Sequence, residues 1–177
     1  MRLLVLLLLP FSAEAATQQW HFKVYLDARE IGYHRFTLTR NGAERELVSE
    51  ARFEVTLLGF RAYRYRHDAL ERWRGDCLQS LASRTDDNGE RLSVEWRASG
   101  ACEMSFAYWN PRILDAPRLL NAQTGELKPV QVTRLGEGRW RLDAEALAPI
   151  ELAYAGGDWV GLETTARGRR LTYRIEK

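Results

Sequence analysis

The chain has 177 residues, of which 45% are hydrophobic and 28% are charged, with a formal net charge of +2 at pH 7. This length suits one domain that buries its own core, and the composition excludes a disordered, collagenous, coiled-coil or polytopic membrane protein. The small net charge does not favour a polyanionic partner, and we expect no binding of nucleic acid.

The first fifteen residues have the features of a signal peptide. Arg2 supplies a positive start, an apolar run extends from 3 to 9, and Ala13-Glu14-Ala15 matches the small-x-small cleavage pattern. The apolar run is far shorter than the ~20 residues that a membrane-spanning helix needs. We therefore expect cleavage after Ala15 and a mature, soluble chain of residues 16–177 in the periplasm or outside the cell, with no transmembrane span.

Residues 16–177 are predicted to form a single antiparallel β domain. Apolar and polar residues alternate along much of this region, and no long stretch has helical periodicity. Turn signals recur at short intervals and include Asn41-Gly42, Asn88-Gly89 and Arg167-Gly168. Short strands at this spacing favour an all-β fold, either a β-barrel or a strongly curved sheet of about ten strands.

Three of the turn signals also predict the register of a hairpin. If each dipeptide is a two-residue loop, the strands on either side bring apolar residues to the same face. The pairs predicted in this way are Phe36 with Leu47, His34 with Ser49, Leu162 with Tyr173, and Leu81 with Trp96.

Cys77 and Cys102 are the two cysteines of the chain. In an oxidising compartment an isolated pair most often forms a disulfide, and the Asn88-Gly89 register places Cys77 opposite Gly100, close to Cys102. Two buried free thiols are the alternative. The cysteines have no CxxC spacing and the histidines are scattered, so we expect neither a metal ion nor a cofactor.

Residues 103–127 interrupt the alternation. Asn110-Pro111 is a favourable pair for the N-cap and first position of a helix, so at most one short helix is predicted to begin there. The alternative is a long crossing loop.

Several short motifs resemble one exported bacterial family, which is catalogued as domain of unknown function 6134. These motifs are Ile31-Gly32-Tyr33-His34-Arg35-Phe36, Tyr63-Arg64-Tyr65-Arg66-His67, Glu71-Arg72-Trp73, Thr85-Asp86-Asp87-Asn88-Gly89, Trp109-Asn110-Pro111 and Gly168-Arg169-Arg170-Leu171-Thr172-Tyr173. The resemblance extends over nearly all of the mature chain. It implies export and a mostly β fold, and it carries over no catalytic residue because the family has no established activity.

His67 and Glu71 belong to the most distinctive polar cluster. On a strand they share a face with Tyr63, Tyr65 and Trp73. A carboxylate near a histidine can orient it for acid–base chemistry, which makes the two residues weak catalytic candidates. The simpler interpretation is a hydrogen-bonded pair beside stacked aromatic rings.

The inward face of the predicted hairpin around Asn41-Gly42 carries small residues that leave space. A barrel with such gaps can hold one small ligand between apolar walls. The candidate ligand contacts are His34, Ser49, Ala51, Tyr63, Tyr65, His67, Trp73 and Trp109. For the tryptophans, a place in a filled core is the alternative.

The sequence therefore predicts a monomeric exported protein that binds an apolar or amphipathic small molecule such as a lipid. Arginines at the rim would meet an anionic head group, since the guanidinium fork suits carboxylates and phosphates. Arginines cluster at 61–74 and at 167–170, and a solvated, salt-bridged face is the simpler interpretation of both clusters. One alternative is an enzyme that acts on a lipid-like substrate with His67 and Glu71 as its acid–base pair. The other is a non-catalytic β scaffold for a protein partner.

Overall fold

The computed structural model describes residues 15–176, so the predicted signal peptide lies outside the described residues apart from Ala15. Twelve strands and one 3-10 helix make up the fold. The strands are β1 (Ala16–Leu26), β2 (Arg29–Asn41), β3 (Glu44–Leu57), β4 (Phe60–Arg74), β5 (Cys77–Asp87), β6 (Glu90–Arg97), β7 (Arg118–Leu120), β8 (Leu127–Gly136), β9 (Arg139–Ala144), β10 (Ile150–Ala155), β11 (Asp158–Ala166) and β12 (Arg169–Ile175). Within residues 15–176, no helix has both the length and the apolar character to cross a membrane.

All twelve strands belong to one antiparallel sheet in the order β6-β5-β4-β3-β2-β1-β12-β11-β10-β9-β8-β7. Neighbours in this order are also neighbours in sequence, except where the first strand pairs with the last, with Phe22 opposite Ile175 and Leu26 opposite Leu171. In the described part of the chain no ladder joins β6 to β7, so the sheet stays open. The prediction of an all-β, strongly curved sheet is confirmed, and β7 is a strand that the alternation does not predict.

Contacts across the concave face show how strongly the sheet curves. The ring of Phe36 on β2 lies 5.0 Å from that of Trp159 on β11, and the ring of Phe53 on β3 lies 6.3 Å from that of Tyr173 on β12. These side chains alternate with outward-facing ones, as successive residues of a strand must. The core is therefore enclosed by one sheet that curls around it.

One end of the sheet, which we call the closed end, is bridged by the segment 103–106. The carbonyl of Glu103 accepts a hydrogen bond from Leu78 N–H, and the carbonyl of Met104 accepts one from Leu120 N–H, both at 2.8 Å. The segment therefore links β5 to β7. The predicted disulfide between Cys77 and Cys102 is present at this end, with the two Cα atoms 4.8 Å apart.

The predicted short helix is also confirmed, as the 3-10 turn Pro111–Asp115. The side chain of Asn110 accepts a hydrogen bond from the backbone N–H of Arg112, as an N-cap residue does. The turn lies in the connection that covers the closed end.

The predicted registers of the β5–β6 and β11–β12 hairpins are confirmed, with Leu81 opposite Trp96 and Leu162 opposite Tyr173. The predicted register of β2 and β3 is wrong by two residues. Phe36 faces Ser49 instead of Leu47, and His34 faces Ala51 instead of Ser49.

The error in β2–β3 has a local cause. The loop is Gly42-Ala43, because Asn41 already pairs with Glu44, and only Gly42 has a positive φ, of 58°. A glycine with positive φ at the first central position is typical of a type II′ turn, whereas Asn-Gly in a type I′ turn needs positive φ at both positions. A shift of two residues keeps each side chain on its predicted face.

Candidate functional site

The concave face contains two adjoining cavities. The cavity that we call the inner chamber, of about 330 Å³, is bordered by Ser49, His67 and Glu71 among others. The outer chamber, of about 510 Å³, is bordered by Ala51, Phe53 and Arg167 among others. Five residues line both chambers: His34, Tyr65, Gln123, Leu171 and Tyr173.

The outer chamber opens at the end of the sheet opposite the disulfide, which we call the open end. The two-residue loops 27–28, 58–59, 88–89 and 167–168 lie at this end. Residues that flank these loops, such as Leu26, Asp87 and Ala166, border the outer chamber. The cavity therefore reaches solvent at the open end.

A row of hydrogen-bonded polar side chains lines the inner chamber. His34 Nε2 lies 2.7 Å from Ser49 Oγ, and His34 Nδ1 lies 3.3 Å from the hydroxyl of Tyr173. His67 Nδ1 lies 2.8 Å from Thr85 Oγ1. Each imidazole therefore has polar partners that do not require it to be charged.

Burial keeps both imidazoles neutral near pH 7. The loss of hydration lowers the pKa of His34 well below its usual value, and the neighbouring His67 and Arg52 side chains act in the same direction. Burial also lowers the pKa of His67, although the carboxylate of Asp68 opposes the shift. The two imidazoles are thus neutral hydrogen-bonding groups of the inner chamber, one on β2 and one on β4.

Glu71 is buried beside this row, and its carboxylate accepts a hydrogen bond from Trp73 Nε1 at 3.0 Å. Burial raises the pKa of Glu71 to about 7, and the hydroxyl of Ser105 and the indole N–H of Trp73 limit the shift. Glu71 and His67 share a strand face but have separate partners. Four residues of extended strand separate them by roughly 13 Å, which is too far for direct proton transfer.

Aromatic rings form the boundary between the two chambers. The rings of Phe53 and Tyr65 stack at 5.3 Å, and Tyr65 stacks in turn on His67 at 6.3 Å. The hydroxyl of Tyr65 donates to Oε1 of Gln123 at 3.0 Å. Burial raises the pKa of Tyr65, with a smaller effect from Asp87, so this hydroxyl stays protonated and able to donate.

Arginines stand at the mouth of the outer chamber. The guanidinium of Arg167 lies 5.3 Å from the centre of the Tyr63 ring, while Nε of Arg169 donates to Asp27 at 2.8 Å. In the described part of the chain, Arg167 has no ion pair with a carboxylate. One of the two rim arginines is therefore available to an anionic group.

The structure brings most of the predicted ligand contacts to this cavity. Ser49, His67 and Trp109 border the inner chamber, Ala51 and Tyr63 border the outer one, and His34 and Tyr65 border both. Trp73 borders neither chamber. It is fully buried at the closed end, where its ring packs edge-to-face on Trp109 at 5.5 Å.

Sequence reasoning missed other residues that line the cavity. Tyr173 could have been predicted as a lining residue, because the register of the last hairpin places it opposite Leu162 on the inward face. Gln123 and Tyr108 come from the segment 103–127, whose path the sequence does not reveal. Within residues 15–176, no group of three or more His, Cys, Asp or Glu side chains is arranged to hold a metal ion.

Comparison with known families identifies the chain. The family model described as Domain of unknown function (DUF6134) matches residues 22–176, which is most of the chain, so the chain belongs to this family. No curated protein and no solved structure matches it. The family description assigns no activity, and the function has to be argued from the cavity.

Proposed function

We propose that this member of the DUF6134 family is an exported protein that binds a small amphipathic molecule of the lipid class. The observation that carries the proposal is the pair of adjoining chambers, with apolar walls, neutral polar groups at the inner end and an arginine rim. Their volumes, about 330 and 510 Å³, lie in the range of small-molecule sites.

The walls of the outer chamber suit the hydrocarbon part of such a ligand. Ile31, Phe53, Val55 and Leu171 contribute apolar surface there, and Ala51 leaves the space that a larger side chain would fill. Each buried CH₂ of a ligand gains about 0.8 kcal/mol from leaving water. An acyl chain would therefore bind with useful affinity without any specific polar contact.

The rim suits an anionic head group. The fork of Arg167 matches a carboxylate or phosphate, and it has no competing ion pair with a described carboxylate. Burial and the neighbouring Asp87 raise the pKa of Tyr63, so its hydroxyl stays protonated beside the same head group. The Tyr63 hydroxyl is close to the carboxylate of Asp87, so an anion at this position would depend on Arg167 and would lie on the side away from Asp87.

The inner end suits a neutral polar group. His34 and His67 are uncharged near pH 7, and Ser49 adds a hydroxyl within 2.7 Å of His34. A hydroxyl or carbonyl of the ligand could exchange hydrogen bonds with this row, whereas a second charge would lose its hydration without a partner of opposite charge. We therefore expect an ω-hydroxy fatty acid to bind more tightly than the unsubstituted acid.

Export is part of the proposal. The leader features of residues 1–15 support it, and the disulfide between Cys77 and Cys102 is typical of an oxidising compartment. N-terminal sequencing of protein recovered from the periplasm or the medium should start at Ala16. Recovery of a chain that still carries residues 3–9 would contradict the cleavage.

The binding test is a fluorescence or calorimetric titration with palmitate of the parent protein and of Ala51→Phe. A phenyl group at position 51 would fill the outer chamber, so palmitate binding should be lost while the melting temperature changes little. Ala82→Phe is the matched control, because Ala82 pairs with Leu70 on the outer face and borders neither chamber.

Two results would contradict the proposal. One is a parent protein that binds neither palmitate nor its ω-hydroxy derivative. The other is an Ala51→Phe variant that loses about 1–3 kcal/mol of stability, as an overpacked core does, without any change in ligand binding. Arg167→Ala provides a second measurement, because it should weaken the binding of palmitate but not of the corresponding alcohol.

One contact favours a second candidate function, hydrolysis of an ester of the same ligand class. The 2.7 Å distance between His34 Nε2 and Ser49 Oγ would let a neutral imidazole take the serine proton as the hydroxyl attacks the ester carbonyl carbon. The imidazolium would return the proton to the alcohol that leaves as the ester C–O bond breaks, and water would then hydrolyse the acyl-serine. His67 and Glu71, the pair suggested by the sequence, have no such contact. Labelling of Ser49 by a fluorophosphonate, absent in Ser49→Ala, would support hydrolysis, and an unlabelled parent would leave binding alone.

A further inference from the structure

The tip of the β3–β4 hairpin exposes large apolar side chains. Leu57, Leu58 and Phe60 are 65%, 90% and 79% exposed, and Leu57 pairs directly with Phe60. The other exposed large hydrophobic residues of the described chain are isolated: Val48 lies nine residues from the tip on β3, and Leu135 lies on β8. We call the four residues 57–60 the apolar tip.

The residue types of the apolar tip do not serve the fold. Leu58 and Gly59 are the two loop residues, with φ of 50° and 82°, which is the pattern of a type I′ turn. Such turns favour Asn-Gly, and the β5–β6 loop of this chain has Asn88-Gly89 with φ of 53° and 102°. A leucine in the left-handed region is disfavoured, and here it also leaves its side chain in water. The turn therefore does not require the apolar side chain that it exposes.

Positive side chains surround the base of the apolar tip. The guanidinium of Arg29 donates to the carbonyl of Thr56, and Arg61 pairs with the same residue across the hairpin. Arg167 lies over the ring of Tyr63, further along β4. Among residues 15–176 none of these three arginines has an ion pair with a carboxylate.

Acidic side chains at the open end offset only part of this charge. Asp27 is already paired with Arg169 at 2.8 Å, whereas Glu54 on β3 and Asp87 at the outer chamber have no ion pair within residues 15–176. The apolar tip is thus flanked by three guanidinium groups that have no ion pair, at Arg29, Arg61 and Arg167.

We propose that the apolar tip docks the open end of the protein onto an anionic lipid bilayer. Leu58 and Phe60 enter the boundary between head groups and acyl chains, and Arg29, Arg61 and Arg167 contact lipid phosphates. The mouth of the outer chamber then faces the membrane, so a lipid-class ligand can pass between bilayer and cavity. This step rests on the proposed function.

The shape of the tip favours a bilayer over a protein partner. A specific protein interface buries roughly 800 Å² on each side, which three side chains on a projecting loop cannot supply. A bilayer accepts a few apolar side chains beside basic ones, because the hydrocarbon boundary and the anionic head groups lie next to each other.

The test compares the full-length gene product, purified from expressing cells, with its Leu58→Asn variant. Co-sedimentation uses vesicles of phosphatidylglycerol and phosphatidylcholine in equal amounts, and vesicles of phosphatidylcholine alone. The parent should bind the anionic vesicles, more weakly at high salt, and the variant should lose at least tenfold in partition coefficient. Both proteins share one N-terminus, so any retained leader contributes equally to both.

Asparagine at position 58 is the residue that the turn favours, so the variant should fold, and circular dichroism checks this. Leu135→Asn is the matched control, because Leu135 is an exposed leucine beside the β8–β9 turn at the opposite end of the sheet. It should bind vesicles as the parent does.

The outcomes separate the docking proposal from the proposed function. Docking is overturned if the parent does not bind anionic vesicles, or if Leu58→Asn binds them as well as the parent. The docking proposal is also overturned if the apolar tip binds a membrane protein but the parent does not co-sediment with protein-free vesicles. Palmitate titration in the absence of vesicles judges the proposed function independently, and Leu58→Asn should keep the parent's affinity there.

Discussion

The closed and open ends belong to the same sheet and follow the same alternation of side chains, yet they differ in how the interior is filled. At the closed end Trp73 and Trp109 pack against each other, and the disulfide and the segment 103–106 cover them. At the open end Ala51 leaves space on the inward face, and the outer chamber occupies it.

This difference separates stability from function along one fold. Large buried side chains and a covalent link hold the closed end, since tightly filled interiors gain most from burial and dispersion. The open end has fewer packing contacts between large buried side chains, and a bound ligand would have to supply contacts of this kind. Substitutions at the two ends should therefore have different effects on stability and on ligand binding.

The largest contrast is expected from truncation of one aromatic side chain at each end. Trp73→Ala should cost about 3–5 kcal/mol of unfolding free energy, because it empties a fully buried site. Phe53→Ala should cost only about 1–2 kcal/mol, because this ring is partly exposed to the outer chamber. Urea denaturation measures both values, and equal losses would show that the open end is packed like the closed one.

Removal of the disulfide should be the next largest effect. The double variant Cys77→Ser, Cys102→Ser should lose about 2–4 kcal/mol, since the bridge closes a loop between residues 25 positions apart. Palmitate affinity of the folded protein should stay the same, because no cysteine borders either chamber. Reductant should destabilise the parent but not the variant. A count of two free thiols per chain in the native parent would contradict the bridge.

Glu71, at the inner end of the cavity, should make stability fall as pH rises. Its pKa is about 7 in the folded protein against 4.5 for an ordinary glutamate, so the unfolded chain releases the proton first. The resulting penalty grows between these two values and is full above about pH 7.

Glu71→Gln removes that penalty, since an amide oxygen can still accept the hydrogen bond from Trp73. The variant should be more stable than the parent by up to about 3 kcal/mol at pH 8, with little difference at pH 4. Urea denaturation of both proteins at pH 4, 6 and 8 measures the change. A difference that does not vary with pH would show that the Glu71 pKa is not raised.

The smallest effect is expected at the apolar tip, where substitution should stabilise the protein. Leu58→Asn should gain about 0.5–1 kcal/mol, because asparagine tolerates the left-handed backbone better than leucine. Asn88→Leu, the reverse change in the β5–β6 loop, should lose at least as much. Thermal unfolding of the two variants checks this, and a loss of stability in Leu58→Asn would mean that the tip residues support the fold.

Much of the wall could be predicted from local pattern. The alternation placed Tyr65, His67 and Glu71 on one face, and the structure shows all three bordering the inner chamber. The register of β2 and β3 could not be chosen in the same way, because loops at Asn41-Gly42 and Gly42-Ala43 give the same inward faces. Which residues oppose each other across this hairpin therefore depended on the turn geometry of Gly42.

By itself the sequence determined the all-β fold, the inward faces, two of the three hairpin registers and the pairing of the cysteines. These properties follow from neighbours a few residues apart, or from one loop whose length is known. Only the tertiary structure decided whether the inward gaps are filled. Tyr65 meets Gln123 from 58 positions away, and the hydroxyl of Ser83 meets the carbonyl of Ala122. A cavity depends on what the opposite wall contributes, and alternation along a strand carries no information about that wall.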